Sequence, residues 1–144
     1  MIRQALMLGA ESVIIDQLTH VEHPNPGRKA RHEQFNENVH EFKYLISTGR
    51  ERVPLLLAHQ INRDGVKAAD KQGHLEMHHL AESAGVERAA DWVLGLYQSK
   101  ADRSARAALL QILAARREDV KNWELYWDVE SGGNRVRREV SLDQ

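Results

Sequence analysis

The sequence contains no cysteine, which excludes disulfide bonds, thiolate metal sites and a cysteine nucleophile, and which fits a reducing compartment. No apolar run approaches the roughly 20 residues of a membrane-spanning helix, and the N-terminal stretch lacks the layout of a signal peptide. We therefore expect a cytoplasmic protein with no membrane partner. The formal net charge of −1 gives no overall attraction to nucleic acid, so DNA binding must come from a local basic patch or from many subunits acting together.

The length and composition predict one folded domain over residues 1–144. With 42% hydrophobic and 28% charged residues, the chain has the composition of an ordinary globular protein, and it contains no internal repeat.

The N-terminal half has the pattern of a strand, a helix and a second strand, preceded by a short helix. The two strands should be parallel, because a helix connects them, and the crossover should be right-handed. Apolar residues at steps of three and four make the central helix the clearest amphipathic segment of the chain. The predicted segments are Ile2–Leu8 (helix), Ser12–Asp16 (strand), Val21–Arg28 (loop), Phe35–Ile46 (helix) and Val53–Ala58 (strand).

The C-terminal half is predicted to contain mostly strands. A glycine-rich turn over Ser131–Asn134 indicates a terminal hairpin. The predicted segments are Asp70–Ser83 (a loop leading into a short helix) and the strands Asp91–Tyr97, Leu109–Ala114, Glu124–Val129 and Arg135–Val140.

Polar side chains follow both strands of the predicted parallel pair. Asp16 closes the first strand, and the second strand continues into Gln60, Asn62 and Arg63. Ligands of open parallel sheets bind beyond the carboxyl ends of the strands. An aspartate there can hold Mg²⁺ through water, while the amides can contact a phosphate or orient a water and the guanidinium can bind a charged group. Turn formation explains either end alone, but together the two ends would face one crevice.

Three further groups of polar residues have ordinary explanations. Spacing favours a solvated helix face with a capping serine for the first group. This group is Glu82, Ser83, Glu87 and Asp91. Arg116 and Arg117 follow a strand, where an arginine can reach a phosphate on a neighbouring subunit, although such pairs are more often simply surface residues. His74 and His78 have the spacing of two zinc ligands on one helix face, but no third ligand is evident, and we interpret them as surface histidines.

In order and spacing, these fragments resemble the C-terminal half of the RecA-like ATPase domain of DnaB-type replicative DNA helicases, and more loosely the phage primase-helicases. The segment VIIDQL (13–18) is similar to the Walker B strand of that family, and HQINR (59–63) is similar to its Ser-Gln-Leu-Asn-Arg-like motif. The resemblance implies that Asp16 serves Mg²⁺ and ATP and that Gln60 senses the γ-phosphate and relays to DNA. It covers about residues 1–140.

Two more motifs carry the resemblance. The segment HLAESAGVERAAD (79–91) is similar to the family's Leu-Arg-Glu-Ser-Gly-x-Ile-Glu-Gln-Asp-Ala-Asp if one residue is inserted before the glycine. Arg117, with Arg116 beside it, stands where the family has the arginine finger that enters the adjacent subunit's ATP site. The resemblance also implies a ring of subunits and a loop at about 63–74 that contacts single-stranded DNA. The implied DNA-binding residues are Asn62, Arg63, Lys67 and Lys71.

The fold implied by this resemblance is α/β. It is a partial RecA-like three-layer sandwich with a mostly parallel sheet, a C-terminal antiparallel hairpin and no P-loop strand. Without that strand, the strand that ends near Gln60 would expose a row of unpaired backbone groups. Either another polypeptide supplies the missing half, as in a gene split in two, or the remaining strands close up, or the sequence is a truncated piece.

The sequence also departs from the family pattern. It contains no G-x-x-x-x-G-K-[ST] stretch and no segment with the family's catalytic glutamate, while Ala115 replaces the lysine before the finger and Glu118-Asp119 replaces Asn-Gly after it. We therefore expect that the chain alone does not hydrolyse ATP efficiently, and that it needs a P-loop partner or N-terminal half. Two alternatives stay open: a catalytically inactive RecA-like binding or regulatory module, and an ATPase fragment of the KaiC or recombinase type.

Overall fold

The computed structural model of the chain describes residues 2–17, 20–24, 27, 29–48, 52–80 and 83–142. These residues form two compact units. The first unit comprises Met1–Gln60 and Glu82–Ala89, and the second comprises Ile61–Ala81 and Ala90–Gln144. None of the described helices is both long enough and apolar enough to cross a membrane.

Helices and strands alternate in the first part of the chain, and strands dominate the last part. In chain order the elements are α1 (Ile2–Met7), β1 (Val13–Ile15), α2 (Arg31–Thr48), β2 (Leu55–Leu57), α3 (Arg63–Gln72), α4 (Ser83–Ala89), β3 (Trp92–Tyr97), α5 (Lys100–Ser104), β4 (Ala107–Ala115), β5 (Asn122–Asp128) and β6 (Gly133–Val140). A 3₁₀ turn, Met77–His79, lies between α3 and α4.

The first unit contains a two-stranded parallel sheet. β1 and β2 pair with Ile15 beside Leu57, so the predicted parallel pair is confirmed. The apolar side chains of α2 pack on one face of this sheet together with α1 and α4. The buried core residues are Ile2, Ile15, Phe35, Val39, Phe42 and Ala89. On the other face Ile14 and Leu56, which are partners in the register, are 70% and 59% exposed.

The second unit contains a four-stranded antiparallel sheet in the order β3-β4-β5-β6. All four predicted strands are present, and the hairpin turn contains Gly132 at a φ of 68°. The α/β fold class is confirmed, but antiparallel pairing extends over four strands and is not limited to the terminal hairpin. The connections between these strands are short, whereas a parallel crossover requires about a dozen residues or more.

The segment 63–72, which we expected to be a loop, is the helix α3. Its ends explain why it forms. The side chain of Asn62 accepts a hydrogen bond from the backbone N–H of Gly65, and Gly73 ends the helix at a φ of 80°. Asn62 is thus the N-cap and Gly73 the C-cap of the helix, and both residue types are common at these positions. The buried face of α3 consists of Gly65 and Ala69, so it lacks the large apolar residues that reveal a helix in a sequence.

Buried polar contacts hold the segment after α3 within the second unit. Gln111 of β4 is 3% exposed, and its side chain accepts a hydrogen bond from the N–H of Leu75 (2.7 Å) and donates one to the carbonyl of the same residue (3.3 Å). The hydroxyl of Tyr97 donates to a carboxylate oxygen of Asp70 at 3.0 Å. Burial, with a further contribution from this hydrogen bond, raises the pKa of Tyr97 to about 12.

Candidate functional site

The carboxyl edge of the β1–β2 pair carries the two polar groups that the sequence singles out. The N–H of Ala58 donates to the carbonyl of Ile15 at 2.9 Å. The two segments of the chain that continue from β1 and β2 are therefore still adjacent where they leave the sheet. Asp16 is the first residue beyond β1, and Gln60 lies three residues beyond β2. Both belong to the first unit and both are exposed. Both residues are therefore open to solvent just beyond the carboxyl ends of the paired strands.

His59 and Gln60 differ in their surroundings. The ring of His59 is partly buried and lies 5.0 Å from the ring of Phe35, at an interplanar angle of 45°. His59 thus packs on the α2 side of the first unit, while its neighbour is exposed to solvent. The polar cluster after β2 accordingly divides into a packing residue and a residue available for a ligand.

Asp16 fits the requirements of an Mg²⁺ ligand. Its carboxylate is exposed and forms no hydrogen bond or ion pair with any residue that the structure describes. Mg²⁺ in nucleotide sites is held by one or two carboxylates and retains several waters, so one available carboxylate at the end of a strand meets this need. The amide of Gln60 likewise has no partner in the described part of the chain.

The residues predicted to bind DNA lie at the start of the second unit. Asn62 uses its side-chain oxygen to cap α3, which gives it a structural role in the fold. Arg63, Lys67 and Lys71 are exposed and follow one another at steps of four, so the helix brings them onto one face, opposite the buried Gly65. We call these three cations the α3 basic stripe.

Two acidic residues of α3, Asp64 and Asp70, reduce the charge of the α3 basic stripe. The ammonium of Lys67 lies 3.1 Å from a carboxylate oxygen of Asp64, but the two side chains are 75% and 93% exposed. Pairs with this exposure are weak and are screened by salt. The stripe therefore keeps a positive excess that an extended polyanion can neutralise.

The structure distinguishes between the two arginines at the end of β4. The guanidinium of Arg116 donates from Nε to the carbonyl of Ala90 at 3.0 Å and lies 3.4 Å from a carboxylate oxygen of Asp91. Arg117 is exposed and pairs with no residue in the described ranges. Arg116 thus connects β4 to the start of β3, while Arg117 can reach a group outside this chain.

The residues of the motif at 79–91 have different structural roles. Asp91 binds Arg116 as described above, and Glu87 is exposed on α4. The backbone of α4 begins at Ser83, and Glu82 lies outside the described residues. Gly85 lies against Asn36 of α2, where a side chain would collide with the amide, so α4 packs closely on α2.

The interpretation of His74 and His78 as simple surface histidines missed two neighbours. They do not share a helix, because α3 ends at Gln72, but both imidazoles lie near the carboxylate of Glu76. His79 is the second neighbour, with 2% exposure. Burial lowers the pKa of His79 below its usual value, and the adjacent His78 lowers it further. The spacing His-x-Glu-x-His-His was visible in the sequence and was the available signal.

The fold places the chain in the class of α/β domains with a RecA-like fold. A solved structure of a DnaB-like replicative helicase, described with its interactions with primase, is similar with a TM-score of 0.74 and 21% identity over 92% of this chain. A second solved structure, described as an ATPase domain, is similar with a TM-score of 0.75 and 23% identity over 92% of this chain. These likenesses show the RecA-like fold.

The sequence identifies the family within this class. It matches the DnaB-like helicase C terminal domain over residues 2–132, and the chain belongs to that family. No curated protein matches the sequence. The chain spans 32% of the solved replicative helicase chain and 48% of the solved ATPase-domain chain, so it corresponds to part of each.

Proposed function

We propose that this chain is the C-terminal portion of a replicative DNA helicase motor, which couples ATP hydrolysis to DNA unwinding within a ring of subunits. The observation that carries this proposal is the shared carboxyl edge of β1 and β2. The chain belongs to the DnaB-like helicase family, and its two parallel strands end at this edge; the proposal assigns Asp16 and Gln60 to one ligand position beyond it.

The two residues at this edge have separate tasks in the proposed motor. Asp16 holds Mg²⁺ through water, and bound Mg²⁺ neutralises charge on the phosphate chain of ATP. Gln60 contacts the γ-phosphate through its amide. Because Gln60 is followed within three residues by Arg63 of the α3 basic stripe, loss of the γ-phosphate can be relayed along the chain to the DNA contact.

Arg117 is proposed to be the arginine finger of the neighbouring subunit's ATP site. The side chain of such a residue must extend beyond its own subunit, and no carboxylate of that subunit may bind it. Arg117 is exposed and has no carboxylate partner among the described residues. Arg116 is less suited to this task because Asp91 and the carbonyl of Ala90 already bind it. A finger stabilises the charge that develops on the transferred phosphoryl group.

The P-loop that this motor requires lies outside the 144 residues. The first unit supports such a missing segment in two ways. β2 pairs only with β1 among the described strands, so one of its edges can accept another strand. Parallel sheets are normally covered on both faces, yet Ile14 and Leu56 leave an apolar face exposed. A P-loop segment that pairs with the open edge of β2 and covers the apolar face would bury both.

The α3 basic stripe is proposed to contact the phosphates of single-stranded DNA. The described part of α3 carries no aromatic residue, so base stacking contributes nothing from this helix and the contact is electrostatic. Its affinity should therefore fall steeply with salt.

The decisive experiment mixes the chain with a P-loop segment of the same helicase and measures DNA-stimulated ATPase activity. We expect activity only in the mixture. Asp16→Asn and Arg117→Ala should each abolish it, and the loss from removing a finger is about 10³-fold or more. Arg103→Ala on α5 is the matched control, because Arg103 is also exposed but precedes the start of β4, whereas Arg117 follows its end. Activity of the mixture no higher than that of the P-loop segment alone would refute the proposal.

A complementation assay tests whether Arg117 acts on a neighbouring subunit. Rings assembled from Asp16→Asn and Arg117→Ala chains contain some interfaces at which both residues are intact. We expect the mixed rings to regain part of the activity that neither variant shows alone. If Arg117→Ala changes neither ATPase activity nor binding of the P-loop segment, Arg117 is not an arginine finger, and the alternative of a RecA-like binding module is favoured.

DNA binding is measured with a fluorescent single-stranded oligonucleotide at several salt concentrations. Replacing Arg63, Lys67 and Lys71 by Ala removes three phosphate contacts, and the salt dependence should flatten by about 2 in the slope of log K against log salt. A double replacement of Lys100 and Arg103 by Ala on α5 is the control. An unchanged slope in the triple variant would exclude the α3 basic stripe as the contact.

A further inference from the structure

Three side chains of the second unit form a cluster of metal-ligand type around the 3₁₀ turn. A carboxylate oxygen of Glu76 and one ring nitrogen from each of His78 and His79 lie within 4.8 Å of one another. The closest approach is between Nδ1 of His78 and Oε2 of Glu76, at 3.1 Å. On the other side of the carboxylate, Nε2 of His74 lies 3.6 Å from Oε1. The four residues are unrelated to Asp16 and Gln60, which belong to the first unit.

His79 is the fixed member of this cluster. Gly65 of α3 lies directly against it, since a Cβ on Gly65 would approach Cβ of His79 at 2.7 Å. The N–H of Asn62 donates to the carbonyl of His79 at 3.1 Å and anchors its backbone. The ring is buried, and its Nε2 has no hydrogen-bond partner in the described part of the structure. A buried ring nitrogen without a partner is costly, and a ligand bond removes this cost.

The other members of the cluster can adjust their positions. The side chains of His78 and Glu76 are 71% and 45% exposed. Ligand atoms around a tetrahedral Zn²⁺ lie about 3.3 Å apart, given Zn–N bonds of about 2.0–2.1 Å. Small rotations of these two side chains toward His79 would therefore bring the donors from their present separation into a coordination shell.

We propose that Glu76, His78 and His79 bind a divalent transition metal ion, with Zn²⁺ as the best fit. Two imidazoles and one carboxylate form a donor set that zinc uses, with water in the remaining position. His74 lies beside this donor set without belonging to it. Its Nδ1 can donate to the carbonyl of Gln72 at 3.1 Å, which leaves Nε2 3.6 Å from a carboxylate oxygen of Glu76, beyond hydrogen-bond distance.

Metal binding must change one hydrogen bond of the present structure. The N–H of Glu76 donates to Nδ1 of His79 at 3.0 Å, so the neutral ring carries its proton on Nε2. Coordination through Nδ1 replaces this hydrogen bond directly. Coordination through Nε2 requires the ring proton to move to Nδ1, which then no longer accepts. Either route ends the hydrogen bond, so the Glu76 amide reports on metal binding by the buried ring.

The first test is titration of the full chain with Zn²⁺ in a calorimeter. We expect one saturable site. His78→Gln and Glu76→Gln each remove one ligand and should weaken this site at least tenfold, because even the loss of an outer-sphere partner costs about 10-fold to 100-fold. His40→Gln is the matched control, since His40 is an exposed histidine of α2 far along the chain from the cluster. Far-ultraviolet circular dichroism verifies that each variant is folded.

The second test separates this site from zinc held loosely by surface histidines. Co²⁺ in place of Zn²⁺ should give the intense visible absorption of a four-coordinate site, and this absorption should be absent from His78→Gln. In ¹H–¹⁵N spectra, Zn²⁺ should shift the Glu76 amide and the ring nitrogens of His79. Equal zinc affinity in the parent chain and both ligand variants, or a shift confined to exposed histidines, would overturn the proposal.

Discussion

Replacement of Gln111 by Leu tests whether β4 fixes the segment that follows α3. The Gln111 side chain binds both backbone groups of Leu75, a residue that is 3% exposed. Leucine has a similar size but can neither accept the hydrogen bond from the N–H of Leu75 nor donate one to its carbonyl. Each buried backbone group left without a partner costs about 1–3 kcal/mol, and the leucine regains part of this because an apolar side chain is easier to bury than an amide. We expect a net loss of about 2–4 kcal/mol in the free energy of unfolding.

Urea denaturation followed by circular dichroism measures this loss, provided that the slope of the transition stays unchanged. Gln98→Leu is the matched control. Gln98 is partly buried and donates a single hydrogen bond, to the carbonyl of Ala107 at 2.8 Å, so its replacement should cost about half as much. If Gln111→Leu costs no more than Gln98→Leu, the two hydrogen bonds to Leu75 do not anchor the segment.

Two other substitutions test the packing of α3. Gly65→Ala gains about 1 kcal/mol of helix propensity, but its methyl group would lie 2.8 Å from the carbonyl oxygen of His79. We expect the strain to exceed the gain, so that thermal unfolding moves to lower temperature. The control is Val66→Ala on the exposed side of the helix, which should change the unfolding temperature little. The second is Tyr97→Phe. The pKa of Tyr97 is raised to about 12 because the folded state favours the neutral hydroxyl. The contribution of this preference to the free energy of unfolding is complete below about pH 10 and is lost as the pH rises through about 12. The loss is about 3 kcal/mol. Unfolding between about pH 9 and 12 should therefore show a smaller pH dependence in Tyr97→Phe, and identical profiles would contradict the assignment.

The helix α2 and the strand β3 were predictable because large apolar residues mark them. α2 buries Phe35, Val39 and Phe42 at steps of four and three, which is the period of a helix. The strand β3 alternates buried and exposed residues along its length, as a strand covered on one face does. Both patterns arise from burial within one element, so one sequence is sufficient to recognise them.

The helix α3 could not be recognised in this way. Its buried residues are Gly65 and Ala69, which carry almost no hydrophobic signal, and charged residues fill most of the remaining positions. The signals that could have identified it are local ones: Asn62 before the first turn and Gly73 after the last. The steps of four between Arg63, Lys67 and Lys71 become informative only once the helix is recognised.

The cluster around His79 was not predictable because it depends on contacts between distant positions. Leu75 and Gln111 are 36 residues apart, and their hydrogen bonds fix the segment on which Glu76 and His78 stand. Nothing in the spacing of the histidines shows that one ring is buried. The parallel pairing of β1 and β2, by contrast, was predictable, because a helix connects the two strands. The roles of Asp16 and Gln60 beyond these strands stay predictions.

The two faces of α3 make it possible to separate the position of the basic stripe from its charge. The inner face lies against His79 at Gly65, which fixes the helix within the second unit, and the outer face carries the cations. A fixed row of cations loses less conformational entropy on binding than the same residues in a loop. Gly65→Ala displaces the helix without removing charge, so it should weaken oligonucleotide binding at every salt concentration and leave the salt slope unchanged. Lys67→Ala should instead lower the slope by about 0.7. If Gly65→Ala leaves the affinity unaltered while the chain stays folded, the DNA contact does not depend on how α3 is held.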